Sequence, residues 1–327
     1  MFCGRRLSLV VRRPCHQTVS YASDVGGREN QRMQLPDGRT LGFAEHGRSD
    51  DYPLIFMHGF PSSRLETLGI DEIALRQRIR VITPDRNGFG LTTFDPKRTI
   101  LQWPHDIQAL GQHLGLSRFA ILGGSGGGPF ALACAYRLPP DMLSAVGIMA
   151  GAGPWEAGTY YMTSLYRACA KMAHRWPSSY AALLQSLVWT LKKVLFSPFG
   201  ARQIDKLLAK TEAAQGSEET AAVLRENLSR QLLEAFRQGP KPALHETRLL
   251  TSYWGINFED VTYDEIKIWH GTNDINAPIQ MIRYMAERLP HCHLNELPGD
   301  THFTLQRHLE SILAELVHGS PPANKYE

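Results

Sequence analysis

The segment AILGGSGGGPFALACA, residues 120–135, limits the fold more than any other stretch of the chain. Its apolar entry reads as a buried strand and its alanine-rich exit as a helix, with five glycines at residues 123–128 around Ser125 between them. A glycine-rich junction of this kind has two chemical uses: it cradles a phosphate or it presents a nucleophile. The phosphate use fails on its own chemistry. A dinucleotide loop started at Gly124 and Gly126 meets Pro129 where its third glycine belongs, and a Walker loop started at Gly123 reaches Gly128 but finds Pro129 in place of lysine. The second use fits. Gly123-Gly124-Ser125-Gly126-Gly127 is G-x-S-x-G, a sharp turn that lifts a hydroxyl above the sheet edge while the next helix aims N–H groups at developing negative charge. Pro129 falls in the first helical turn, where a missing donor is not needed.

The surroundings repeat this alternation. RMQL and RTLGFAEHG flank the turn PDG as a hairpin, and short apolar runs follow at PLIFMHG (53–59), RVITPD (80–85), RFAILGG (118–124) and AVGIMAGA (145–152). Helical stretches such as DEIALRQRI and WPHDIQALGQHLGL lie between them, so crossover units and a parallel sheet are expected. Two more runs, IKIWHG (266–271) and HLNELPG (293–299), precede a closing helix. Residues 155–250 break the pattern with helix-like segments alone, which predicts an all-helical insertion over one end of the sheet. The domain reading is therefore an N-terminal segment at 1–27, a core at 28–154 and 251–318, a helical cap at 155–250 and a tail at 319–327.

A serine hydroxyl attacks poorly until a base takes its proton, so a histidine and an acid that orients it are required. Both must sit on loops at the same strand ends as Ser125. After IKIWHG comes TNDINAP with Asp274, and after HLNELPG comes DTHF with His302. The order Ser125, Asp274, His302 is the chain order of a nucleophile-elbow fold.

With HGFP after the third strand, DRNGFGLT after the fourth, the elbow after the fifth and the late Asp and His, the chain resembles the α/β-hydrolase fold superfamily from about residue 33 to 318. The branch it resembles has a serine nucleophile and a cap. The resemblance implies an eight-stranded, mostly parallel sheet flanked by helices, and a Ser125–Asp274–His302 triad. It also implies an oxyanion hole from the backbone N–H groups of Phe60 and Gly126, where losing one donor typically costs about 2.7–4 kcal/mol. In such relatives Asp85 stabilises its own loop, and His58 is read as a loop organiser. His270, at a strand end beside the site, is read as structural. Relatives that open epoxides or displace halide place an aspartate at the elbow, where this chain has Ser125. Acyl transfer is therefore expected, on a small or medium, fairly apolar ester, lactone or thioester, with no cofactor and no metal. The same triad also serves C–C hydrolysis, acyl transfer, lyase and cyclase chemistry, and a non-catalytic receptor on this fold would keep it for binding.

The remaining features narrow the setting. No run of 18 uncharged apolar residues occurs, so no membrane span is expected. The formal charge is +3, of which Arg5, Arg6, Arg12 and Arg13 sit ahead of the first acid, Asp24, leaving no basic excess in the body to attract nucleic acid. That head suits either a mitochondrial presequence or a loose tail, in a protein otherwise expected in the cytoplasm. Five scattered cysteines without a C-x-x-C suggest reduced thiols of an intracellular protein. The insertion's Trp155, Tyr160, Tyr161, Met162, Tyr166, Trp189 and Phe196 stand at spacings that ordinarily build helical core, with an acyl pocket as their alternative use.

Overall fold

A computed structural model describes residues 28–208 and 218–319; the head at 1–27 and most of the expected tail lie outside the described residues. Eight strands form one sheet: β1 (Gln31–Gln34), β2 (Thr40–His46), β3 (Tyr52–Met57), β4 (Ile79–Pro84), β5 (Phe119–Gly124), β6 (Leu143–Met149), β7 (Ile266–Gly271) and β8 (Cys292–Leu297). Their order is β1-β2-β4-β3-β5-β6-β7-β8, with β2 antiparallel to both neighbours and β3 to β8 parallel.

The helices between these strands are α1 (Asp71–Gln77), α2 (Trp103–His113), α3 (Gly128–Arg137), α9 (Ile279–Arg288) and α10 (Leu309–His318). A capping box starts the run into α2, with the Thr99 N–H donating to Gln102 Oε1 at 2.9 Å, and Pro104 stands in the helix's first turn. Both sheet faces are covered, so the central strands are mostly apolar rather than alternating, and every residue of β5 is buried. Side-chain alternation still divides them. Leu54, Phe56, Ala120 and Leu122 pack with Ala74 of α1 and Leu313 of α10, while Ile55, Met57 and Ile121 pack with Ile107 of α2 and Leu132 of α3. Each fully buried Leu, Ile or Met among them contributes about 1.5–3 kcal/mol.

Between β6 and β7 the chain holds α4 (Ser164–Arg175), α5 (Pro177–Leu195), α6 (Pro198–Leu208), α7 (Glu218–Glu234) and α8 (Lys241–Leu250), and no strand among the described residues. Helix α8 turns Pro242, Ala243, Glu246, Thr247 and Leu250 inward. The expectation that the insertion's aromatic residues are core fails for most of them. Met162 is buried and Trp155 half-buried, but Tyr160, Tyr161, Tyr166, Trp189 and Phe196 are all exposed. The physical reason is one-sided packing: α5 buries only Tyr180, Val188 and Leu195, and α4 only Ala170 and Ala173, so the outer faces keep apolar residues without covering them. Trp254 and Phe258, where the chain returns to the sheet, are core.

Candidate active site

Parallel strands release their loops at one edge, and three of those loops meet here. At the end of β5, Ser125 adopts φ 50°, a left-handed conformation that costs a non-glycine residue strain and is held only by its surroundings. The fold-back needs bare backbone. A methyl on Gly123 would sit 2.7 Å from Gly127 O, and one on Gly127 would sit 2.1 Å from Met57 O. On the far side, the Ala152 N–H donates to Ser125 O at 2.9 Å, so the loop after β6 braces the elbow.

His302 lies in the loop after β8, with Nε2 2.9 Å from Ser125 Oγ and Nδ1 2.7 Å from Asp274 Oδ2. Asp274, in the loop after β7, is itself fixed: its Oδ1 accepts the N–H groups of Asn276 at 2.8 Å and Ala277 at 2.9 Å. Burial alone would push the Asp274 carboxyl up. The hydrogen bond and charge of His302, with the Ala277 N–H, outweigh that and hold it below its ordinary value. The stability sign follows: a carboxyl held low in the folded state stabilises above its unfolded value of about 3.9, and that contribution is lost as pH falls through the folded value. Asp274→Asn is therefore expected to cost most stability near neutral pH and to approach the parent protein in acid. Urea unfolding from pH 7 down to pH 3 reads this, and a gap independent of pH would contradict the pairing.

Phe60 and Gly126 approach closely. A methyl on Gly126 would stand 3.2 Å from Phe60 N and 2.5 Å from Phe60 Cβ, with Leu250 of α8 at 3.4 Å. The first N–H groups of a helix lack intrahelical partners, so the backbone after Ser125 has donors to offer at this point. His58 serves its loop: its ring accepts the Arg86 N–H at 3.1 Å, and burial, aided by the Arg86 charge, drives its pKa well below the ordinary value. His270 also braces structure, with Nε2 2.7 Å from Ala277 O and 3.4 Å from Asp274 Oδ2. Asp85 accepts the N–H groups of Arg64 at 2.6 Å and Leu91 at 2.8 Å, and burial pushes its carboxyl up to about 6 against the pull of Arg64.

Two further side chains brace the loop after β3. Arg86, fully buried, donates to the carbonyls of His58 and Gly59 and to Glu246 of α8, with its guanidinium 4.7 Å from the Phe130 ring. Glu66 accepts the Gly59 N–H at 2.7 Å, and burial raises its carboxyl pKa although Ser62, that N–H, Arg86 and His302 pull the other way. Arg86 stands in the DRNGFG motif and was a legible candidate; its partner, 160 residues on, was not. Glu66 carries no periodic or spacing signal.

Comparison with known proteins agrees with this geometry at the level of fold. A family model described as alpha/beta hydrolase fold matches residues 52–306. Haloalkane dehalogenase 2 of Mycobacterium bovis is 25% identical over 272 residues, 81% of this chain and 86% of that protein. Soluble epoxide hydrolase of Corynebacterium sp. is 37% identical over 90 residues, so the match spans 26% of this chain and only 30% of that relative. Among solved structures, one from work on carboxylesterases of Nitrososphaera gargenis has a TM-score of 0.61 at 17% identity, covering 89% of this chain and 100% of the other. The enol-lactonase of Burkholderia xenovorans has a TM-score of 0.57 at 17% identity, covering 89% and 99%.

Proposed function

This chain belongs to the α/β-hydrolase fold family, and from that premise we propose that it is a serine hydrolase cleaving a carboxylic ester, lactone or thioester through an acyl-enzyme. The observation that carries the reading is the continuous relay from Ser125 Oγ through His302 to Asp274, with contacts of 2.9 and 2.7 Å. His302 Nε2 takes the Ser125 proton as Oγ attacks the acyl carbon. The N–H groups of Phe60 and Gly126 hold the oxyanion, and His302 returns the proton to the leaving oxygen or sulfur. Water then attacks the acyl-enzyme with His302 again as base, and Asp274 keeps the imidazole in the useful tautomer. Residues 28–154 and 251–318 supply this machinery, and residues 155–250 act as the cap over it.

Displacement at a saturated carbon, the chemistry in the names of the dehalogenase and epoxide hydrolase relatives, is disfavoured by the nucleophile itself. Attack by Ser125 on such a carbon would leave an ether, which an imidazole-activated water has no carbonyl to enter. An acyl ester on the same oxygen is hydrolysable.

Substrate polarity is read from the rim. Ile275 and Phe303, the residues after Asp274 and His302, are both exposed, the Phe303 ring lies 5.5 Å from the His302 ring, and Tyr166 of α4 donates to Asn276 at 3.0 Å. An apolar acyl chain suits this rim. Across p-nitrophenyl acetate, butyrate and hexanoate, kcat/KM is expected to rise by up to about fourfold per methylene until the pocket is full. Absence of turnover on a panel of esters, thioesters and lactones would overturn the proposal. Gly126→Ala supplies an independent check. Its methyl must displace Phe60, so a loss of about 10²–10³ in kcat is expected in a folded protein.

A further inference from the structure

From Ala157 to Ile204, 48 residues, the chain contains Arg167, Lys171, Arg175, Lys192, Lys193 and Arg202 but not one Asp or Glu. That segment carries +6 in a chain whose total is +3, so the remainder sums to −3. The same stretch holds eleven of the nineteen exposed large hydrophobic side chains among the described residues. Charge asymmetry and apolar exposure therefore coincide in one part of the molecule.

Helix α5 shows how they combine. Its buried stripe of Tyr180, Val188 and Leu195 faces the insertion's own packing. Outside that stripe, Leu183, Leu187 and Val194 recur at i, i+4 and i+11 along one flank, and all three are exposed. Trp189 is 60% exposed on the other flank, and Lys193 Nζ lies 5.6 Å from its ring centroid. A water-facing helix ordinarily carries polar residues there. One with exposed Leu, Val and Trp, lysines and no acid has the composition of a helix that lies in a membrane interface.

We propose that the outer face of α5, continued by α6, docks on the surface of a bilayer containing anionic phospholipid. A second copy of the chain fits poorly. A two-fold interface sets a patch against itself, which here would oppose Lys193 to its own counterpart with no acid in the segment to separate them, while Lys192 borders the groove that Glu226 and Glu234 of α7 also line. An anionic leaflet accepts the lysines while its acyl boundary accepts Leu183, Leu187 and Trp189. Docking by this face is peripheral and needs no spanning segment; no described helix is long and apolar enough to cross a membrane. Helix α4 links the face to the candidate site, because its Tyr166 hydroxyl reaches Asn276, two residues past Asp274.

The test is sedimentation of the full chain with vesicles of phosphatidylcholine alone or of phosphatidylcholine with phosphatidylserine. Binding is expected only to the serine-containing vesicles and is expected to weaken as salt rises. Lys192→Glu/Lys193→Glu is expected to reduce the partition coefficient about thirtyfold or more, at about fivefold per lysine removed. Trp189→Ser is expected to reduce it further, with p-nitrophenyl acetate turnover and the circular dichroism spectrum unchanged in both variants. The head with Arg5, Arg6, Arg12 and Arg13 is present throughout, so binding equal in the parent and the double-lysine variant would assign the effect to the head and overturn the proposal. No binding to anionic vesicles would overturn it as well. A dimer by light scattering that Trp189→Ser dissolves, without vesicle binding, would assign the face to self-association instead.

Discussion

Ser125→Ala is expected to lower ester turnover by about 10⁴–10⁶-fold while leaving the unfolding midpoint nearly unchanged. The two halves of that expectation come from different atoms. In the proposed reaction turnover depends on Oγ, 2.9 Å from His302 Nε2, and among the described residues no other hydroxyl or thiol makes that contact. Stability depends on the backbone and Cβ, which alanine keeps at the same φ of 50°. Under the proposed mechanism, what survives in the variant is binding and the oxyanion donors, which alone give only a small residue of the rate. Steady-state kinetics beside chemical denaturation separates the two, and substantial turnover by the alanine variant would show that the attacking group is elsewhere. Ser125→Gly should be equally inactive yet more stable by about 1 kcal/mol, because glycine takes positive φ without strain.

Breaking the Arg86–Glu246 pair should have the largest effect on stability. Arg86 is fully buried and Glu246 only 3% exposed. The cost of taking both charges out of water is offset only because each finds the other, with His58 O and Gly59 O satisfying the rest of the guanidinium. Glu246→Leu strands the arginine, and a loss of about 3–5 kcal/mol is expected. Arg86→Met on the same background should restore much of that loss, since a well-packed apolar pair is often as stable as a buried ionic one. Activity should not return with it, because Arg86 is the donor that ties the two carbonyls ahead of Phe60. Urea unfolding of the single and double variants gives the coupling directly. A cost for Glu246→Leu no greater than that of an exposed ion pair, about 1 kcal/mol or less, would contradict the buried arrangement.

The sheet was legible because its central strands are short apolar runs bounded by Gly, Pro or Asp, the first two strands flank the turn PDG, and β5 carries an elbow whose glycines have a steric cause. Asp274 and His302 could be located because parallel strands deliver their following loops to one edge, which turns chain order into a spatial statement. Arg86 with Glu246 and Arg64 with Asp85 and Glu234 were not legible as pairs, since tertiary packing alone decides which buried arginine meets which carboxylate. Glu66 leaves no sequence signal for the same reason: it acts on Gly59 through a turn that closes seven residues back. The exposure of the insertion's aromatic residues was not legible, because helical spacing says that a face is apolar and not whether anything covers it. Tyr160 at 84% and Trp189 at 60% exposure are faces left open. The expected presequence or tail at 1–27 falls outside the described residues.

The proposed function turns on a Ser125 hydroxyl made nucleophilic by His302. A fluorophosphonate probe followed by peptide mapping tests it most directly, because the probe traps only an activated nucleophile. The account predicts one adduct, on the peptide containing Ser125, and its disappearance in both Ser125→Ala and His302→Ala. Labelling at another residue, or undiminished labelling of Ser125 without His302, would contradict it.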